Sequence, residues 1–186
     1  GDALILTKPI GTGTLFAAAV RFAPGLRVRG RWIDAALASM QVSNRDAAAT
    51  LIAHGATACT DLTGFGLLGH LVEMTKPSGV DAELYLNMLP LLDGAAETAA
   101  AGVLSSLQPA NVRLRRALRN AAEFIDHPRY ALLFDPQTAG GLLASVPAGR
   151  AEECLAALRA QGYSAAARIG RVLPAGEAPE PVVLVG

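Results

Sequence analysis

The residues most able to do chemistry lie together in Thr60-Asp61-Leu62-Thr63-Gly64-Phe65-Gly66-Leu67-Leu68-Gly69-His70, which sets a carboxylate, two hydroxyls and three glycines directly ahead of an apolar run. Oxygen ligands suit a hard cation, and the free N–H groups of a helix start suit an anion, so this pattern fits a hydrated Mg²⁺ carrying a phosphate. On that reading Asp61 is the metal ligand, and Thr60, Thr63 and Gly64 lie near the phosphates. A structural reading uses the same residues differently, because Asp61 or Thr63 would also serve as an ordinary helix N-cap. The spacing G-x-G-x-x-G over Gly64, Gly66 and Gly69 also matches a dinucleotide fingerprint. That fingerprint requires a βαβ unit with an acidic residue about twenty positions on, a requirement Asp81 or Glu83 meets only loosely.

Other stretches carry weaker signals. Asp135-Pro136-Gln137-Thr138-Ala139-Gly140-Gly141-Leu142-Leu143 is a second acidic, hydroxyl-bearing, glycine-containing loop. Asp-Pro opens turns, however, and Gly-Gly permits positive φ or a close approach of backbone. Gly11-Thr12-Gly13 is either a phosphate-touching turn or a plain connection. His54, His70 and His127 do not cluster at metal-ligand spacing, which argues against zinc. Cys59 reads as a small buried hydrophobe in a strand, and Arg113, Arg115, Arg116 and Arg119 as the solvated face of one helix.

These groups must be positioned by the surrounding elements. Short apolar runs predict strands at Ala3–Thr7, Thr57–Thr60, Ala131–Phe134, Leu142–Val146 and Ala166–Val172, and alternation predicts one at Val80–Leu86, while Pro174, Gly176, Pro179 and Pro181 read as a loose connection before Val182–Val185. Helical spacing predicts helices at Leu15–Phe22 (ended by Pro24-Gly25), at Trp32–Met40, over Ala47, Leu51 and Ile52, and at Phe65–Met74. Further helices are expected at Leu92–Ala101, Val112–Phe124 and Arg150–Gln161. Ser43 with Asp46 resembles a capping box, and Gly55 sits where a left-handed C-cap is wanted. Helices and strands interleave irregularly, so the expected fold is α+β, helices packed on a mixed β-sheet, with a domain over 1–175 and a tail over 176–186.

Composition narrows the partners. The 186 residues are 52% hydrophobic and 17% charged, with 16 Lys+Arg against 16 Asp+Glu. That balance favours neither nucleic acid nor an anionic membrane. No apolar run is long enough for a membrane span, and two cysteines with no signal peptide suggest a reducing, cytoplasmic setting. The start at Gly1, straight into an apolar strand, suggests a piece of a longer protein.

Three motifs taken in order, Leu6-Thr7-Lys8-Pro9-Ile10-Gly11-Thr12-Gly13, the Thr60–His70 stretch and the Asp135–Leu143 stretch, resemble the C-terminal domain of selenophosphate synthetase (selenide, water dikinase). The resemblance covers nearly the whole chain. It implies an enzyme of the aminoimidazole ribonucleotide synthetase-like superfamily that makes selenophosphate, AMP and phosphate from selenide, ATP and water, with Mg²⁺ and a monovalent cation such as K⁺. It implies that Asp61 reaches the ATP phosphates through Mg²⁺. It also implies that the catalytic groups belong to an N-terminal ATP-binding domain absent from this sequence, so that no catalytic residue is expected here. Neither Cys59 nor Lys8 corresponds to that domain's reactive cysteine or catalytic lysine. The full-length protein is expected to be a homodimer, and some members are fused to a flavin-dependent oxidoreductase. Two other readings stay open: a related ATP-dependent enzyme of purine-biosynthesis type, and a non-catalytic nucleotide-binding or regulatory module.

Overall fold

The computed structural model describes residues 1–21 and 30–186. The predicted end of the first helix at Phe22 and its stop at Pro24-Gly25 lie outside the described residues. The chain runs β1 (Ala3–Leu6), α1 (Thr12–Val20), α2 (Gly30–Gln41), α3 (Arg45–Ala53), β2 (Ala58–Asp61), α4 (Gly66–Ser78), β3 (Val80–Tyr85), α5 (Ala95–Ala100), α6 (Gln108–Asn111), α7 (Ala121–Phe124), β4 (Leu142–Val146), α8 (Ala151–Ala160), β5 (Ala167–Pro174) and β6 (Val182–Val185). The strands form one sheet in the order β2-β4-β1-β5-β3-β6. All neighbours are antiparallel except β3 and β6, which run parallel, so the sheet is mixed as expected.

Why β1 is an unbroken apolar run follows from its place inside the sheet with cover on both faces. Successive side chains of a strand point to opposite faces. Leu4 and Leu6 enter one core with Leu67, Leu68 and Leu71 of α4, while Ala3 and Ile5 enter a second core with Leu51 of α3 and Leu155 and Leu158 of α8. β3 instead has cover on one side. Ala82 and Leu84 join the first core, whereas Asp81 pairs with Arg119 and Glu83 with Arg171. The two acids that the dinucleotide reading needed are therefore engaged as ion pairs within the chain. Burial raises Asp81, but the Arg119 and Gly176 hydrogen bonds outweigh it and leave that carboxyl below its ordinary value. The strands on either side of α4, β2 and β3, are separated in the sheet by β4, β1 and β5, so α4 does not join neighbouring parallel strands and the compact βαβ unit that the dinucleotide reading requires does not form.

The two ends of the sheet differ. Beyond β6, Leu118 bridges to Val182, and Asn120 takes both backbone groups of Leu184 through its side-chain amide. At the other end β2 pairs with β4 alone.

Several predicted elements differ from the structure. Ala131–Phe134 is a 3₁₀ turn, because a short apolar run carries no period to tell a strand from a buried turn. The predicted helix over Val112–Phe124 divides into a 3₁₀ segment at Val112–Ala117 and α7, since Leu118 extends to pair with β6. The one over Leu92–Ala101 starts only at Ala95, after Gly94 adopts a φ of 83° against the Trp32 ring. The capping box does not form. Ser43 Oγ accepts from the Arg45 N–H, and Ala47 N–H is held by the Tyr163 hydroxyl at 3.0 Å. Gly55 does take the left-handed C-cap, φ 79°, and β6 inside the 176–186 segment is a paired, half-buried strand.

Candidate functional site

α4 begins with no side-chain cap, and its N-cap position is Phe65. Neither Asp61 nor Thr63 serves as the cap that the structural reading proposed. Asp61 is instead the last residue of β2, exposed, and its carboxylate has no hydrogen bond or ion pair among the described residues. The ladder continues one step past it, Leu62 N–H donating to Gly141 O at 2.9 Å. With Leu62 at 0% exposure between them, Asp61 and Thr63 lie on the same exposed side of the chain, together with Cys59. Thr60 falls on the opposite side, half-buried, with only a 3.4 Å contact from its hydroxyl to Asp61 O. The structure thus gathers Asp61, Thr63 and the turn at Gly64, and leaves Thr60 apart.

Each glycine of the motif has its own reason. Gly66 adopts a φ of 71°, and a Cβ there would lie 2.9 Å from Phe134 C. At Gly69 a Cβ would meet that of Phe65 at 2.6 Å. Gly64 has room for a Cβ, which would meet only Leu107 Cδ1 at 3.9 Å, and its carbonyl accepts from Asn111 Nδ2 at 2.7 Å. The spacing is therefore one of backbone packing around the start of α4.

The residue that sequence reasoning left without a role is His70. Buried in the first turns of α4, its Nε2 accepts the Thr63 N–H at 3.0 Å and lies 3.0 Å from Thr63 Oγ1. Its Nδ1 stands 3.2 Å from a Glu73 carboxylate oxygen, without the alignment of a full hydrogen bond. The Phe65 ring, largely exposed, lies tilted 5.7 Å from the imidazole. The spacing Thr63, His70, Glu73, seven and then three residues on, is the signal that could have revealed this.

The second loop turns out to be scaffolding for the first helix. Gln137 Oε1 accepts from Gly11 N–H, Thr12 N–H and Thr12 Oγ1, at 3.0–3.3 Å. Asp135 Oδ2 accepts from Gly13 N–H and from Gln137 Nε2. The Gly11-Thr12-Gly13 turn therefore spends its donors inside the chain and is a connection, not a phosphate cradle. Gly140 and Gly141 are there for close approach, since a Cβ would meet Leu62 O at 2.5 Å and Lys8 N at 2.6 Å. Burial pushes the Asp135 carboxyl up to about 7 against the pull of those hydrogen bonds. The Lys8 ammonium, its pKa lowered by burial, donates to Val42 O at the end of α2 and to Ala139 O. Partial burial and then the Asp61 charge raise the Cys59 thiol, the opposite of nucleophile activation. Cys59 is nonetheless exposed, so the buried-hydrophobe expectation does not hold for it.

A divalent cation fits this site in part. Asp61 and the Thr63 hydroxyl offer hard oxygen donors, but among the described residues no three His, Cys, Asp or Glu side chains gather as a metal cluster. Asp61 and Thr63 alone therefore do not make up a full ligand set for such a cation.

An α+β domain with helices on both faces of a mixed sheet, presenting a free carboxylate at the open sheet edge, is the class of protein these observations define. Residues 1–179 match the family model for AIR synthase related protein, C-terminal domain, and the chain belongs to that family. It is 44% identical over 176 residues to a selenide, water dikinase of Desulfitobacterium hafniense (strain DSM 10664 / DCB-2), covering 94% of this chain and 49% of that protein. A selenide, water dikinase of Pelobacter propionicus is 39% identical over 173 residues, covering 93% and 49%. The chain spans about half the length of the curated relatives it matches. Among solved structures, the hydrogenase maturation protein HypE in complex with ATP aligns at a TM-score of 0.66 with 21% identity, covering 99% of this chain and 47% of that one. Thiamine monophosphate kinase from Aquifex aeolicus aligns at 0.57 with 18% identity, covering 100% and 50%. These likenesses establish the fold.

Proposed function

We propose that this chain is the C-terminal domain of a selenophosphate synthetase, which converts selenide, ATP and water to selenophosphate, AMP and phosphate. On this reading it helps to complete a Mg²⁺·ATP site against an N-terminal domain of the same protein. The observation that carries the proposal is the Asp61 carboxylate, exposed at the sheet edge with no internal partner and set just ahead of a helix start that no side chain caps. A carboxylate left free beside uncapped N–H groups suits a cation-bound phosphate. Identity of 39–44% to selenide, water dikinases supports the choice of substrate over a purine-type relative.

Asp61 is the Mg²⁺ ligand in this account, with Thr63 and Gly64 close to the phosphates. Thr60, on the other face, is left out of this site. K⁺ as a further cation, a full-length homodimer and a cytoplasmic setting belong to the same proposal, as does a domain boundary near residue 175. Among the described residues no helix is long and apolar enough to cross a membrane.

Selenide-dependent AMP formation tests the proposal. The full-length protein should release AMP and selenophosphate, seen by ³¹P NMR, and the chain alone should not turn over ATP. Turnover by the chain alone, or selenide-independent turnover of a purine precursor by the full-length protein, would overturn it.

A further inference from the structure

His70 takes no part in the reading above, yet it is a buried imidazole, its side chain 6% exposed, bonded to the residue two positions after Asp61. A ring nitrogen that accepts an N–H carries no proton of its own. The Thr63 N–H therefore fixes Nε2 as the bare nitrogen and puts the ring proton on Nδ1, which faces the Glu73 carboxylate at 3.2 Å. With Nε2 bare, the Thr63 hydroxyl 3.0 Å away is the donor in that contact. A hydroxyl that has given its one proton inward offers only lone pairs outward. Thr63 is exposed, and it shares its side of the chain with Asp61.

We infer that His70 is a positioning residue that makes Thr63 Oγ1 an obligate acceptor, and hence a second oxygen ligand for the divalent cation bound by Asp61. This rests on the Mg²⁺ reading of Asp61 and assigns Thr63 to the cation rather than to donation toward phosphate. The His70–Thr63 pair, with the Glu73 carboxylate near Nδ1, acts as an outer support of the kind that orients ligands around metals. The burial of a polar ring here is accounted for by its two bonds to Thr63, since an unbonded imidazole in that position would be costly.

The test uses the full-length protein with Mn²⁺ and a non-hydrolysable ATP analogue, reading cation affinity by electron paramagnetic resonance, together with ¹⁵N spectra of histidine-labelled protein. The spectra should show the His70 proton on Nδ1, and a proton on Nε2 would overturn the inference. Thr63→Val and His70→Leu should each weaken Mn²⁺ binding by about tenfold or more, the scale of lost outer-shell support. His70→Gln, whose amide oxygen can accept in place of Nε2, should restore most of the affinity. The double variant should bind no worse than Thr63→Val alone, whereas additive losses would contradict an action through Thr63. Should His70→Leu fail to fold, Thr63→Ser against Thr63→Val carries the same comparison: Ser should hold the cation and Val should not. If Asp61→Asn loses Mn²⁺ while Thr63→Val and His70→Leu keep it, this inference fails alone. If Asp61→Asn keeps Mn²⁺, the underlying reading fails as well.

Discussion

Two aspartates of this chain illustrate how surroundings decide what a carboxylate does. Asp61 is exposed and has no partner among the described residues, which is why the proposed function assigns it to a ligand. Asp135, fully buried among backbone donors, is a structural acceptor whose Oδ1 has no partner. Its carboxyl, raised to about 7 by burial, lies above its unfolded value of 3.8. Between those values the folded protein holds a proton that the unfolded chain has lost, so stability falls as pH rises through that window. The slope is roughly 1.4 kcal/mol for each unit of pH at most. Chemical unfolding at about pH 5 and about pH 8 should show lower stability at the higher pH. Asp135→Asn, which stays neutral, should remove most of that difference. An unchanged difference in the variant would place its origin elsewhere.

At the level of elements, the helix starts are made by side chains and turns distant in sequence. α1 begins at Thr12 because Gln137 and Asp135 accept its first N–H groups. The start of α4 is shaped by the left-handed Gly66 pressed against Phe134 and Asp135. Gly66→Ala should destabilise the protein by more than about 2 kcal/mol, combining the left-handed backbone cost with overlap against fixed backbone. Thermal or urea unfolding would measure it, and a loss below half that figure would mean the loop shifts freely. By contrast, Gly64 has room for a Cβ.

The contrast between those glycines also explains what the sequence could reveal. Buried strands such as β1 and a glycine-ended helix such as α3 were legible, because their signals are local: an apolar run, or a glycine past the last turn. The break at Leu118 was not, since only pairing with β6 extends that residue. Nor was the turn at Ala131–Phe134, whose apolar run fits either state. Within the site, the cluster of Asp61, Thr63 and Gly64 could be found from residue types. The demotion of Thr60 needed the strand's facing, the release of Gly11-Thr12-Gly13 from ligand duty needed Gln137, and the part of His70 needed the turn that brings it back onto Thr63.

As a whole, the molecule is a domain whose two sheet ends are treated differently. The β6 end is closed by Leu118 and Asn120, while the β2 end is open and carries Asp61 outward. Asp61 stands free with no metal cluster around it among the described residues, and the chain spans about half of its curated relatives; the proposed function joins these two facts by reading Asp61 as one part of a site that a further domain completes. Asp61→Asn in the full-length protein is the most direct test, because an amide is a poorer ligand for a hard cation while a surface change of this kind leaves stability within roughly 0.5 kcal/mol. Selenide-dependent AMP formation should fall at least tenfold to a hundredfold, roughly the scale of weakened metal support, with the unfolding midpoint unchanged. Full activity in that variant would contradict the account.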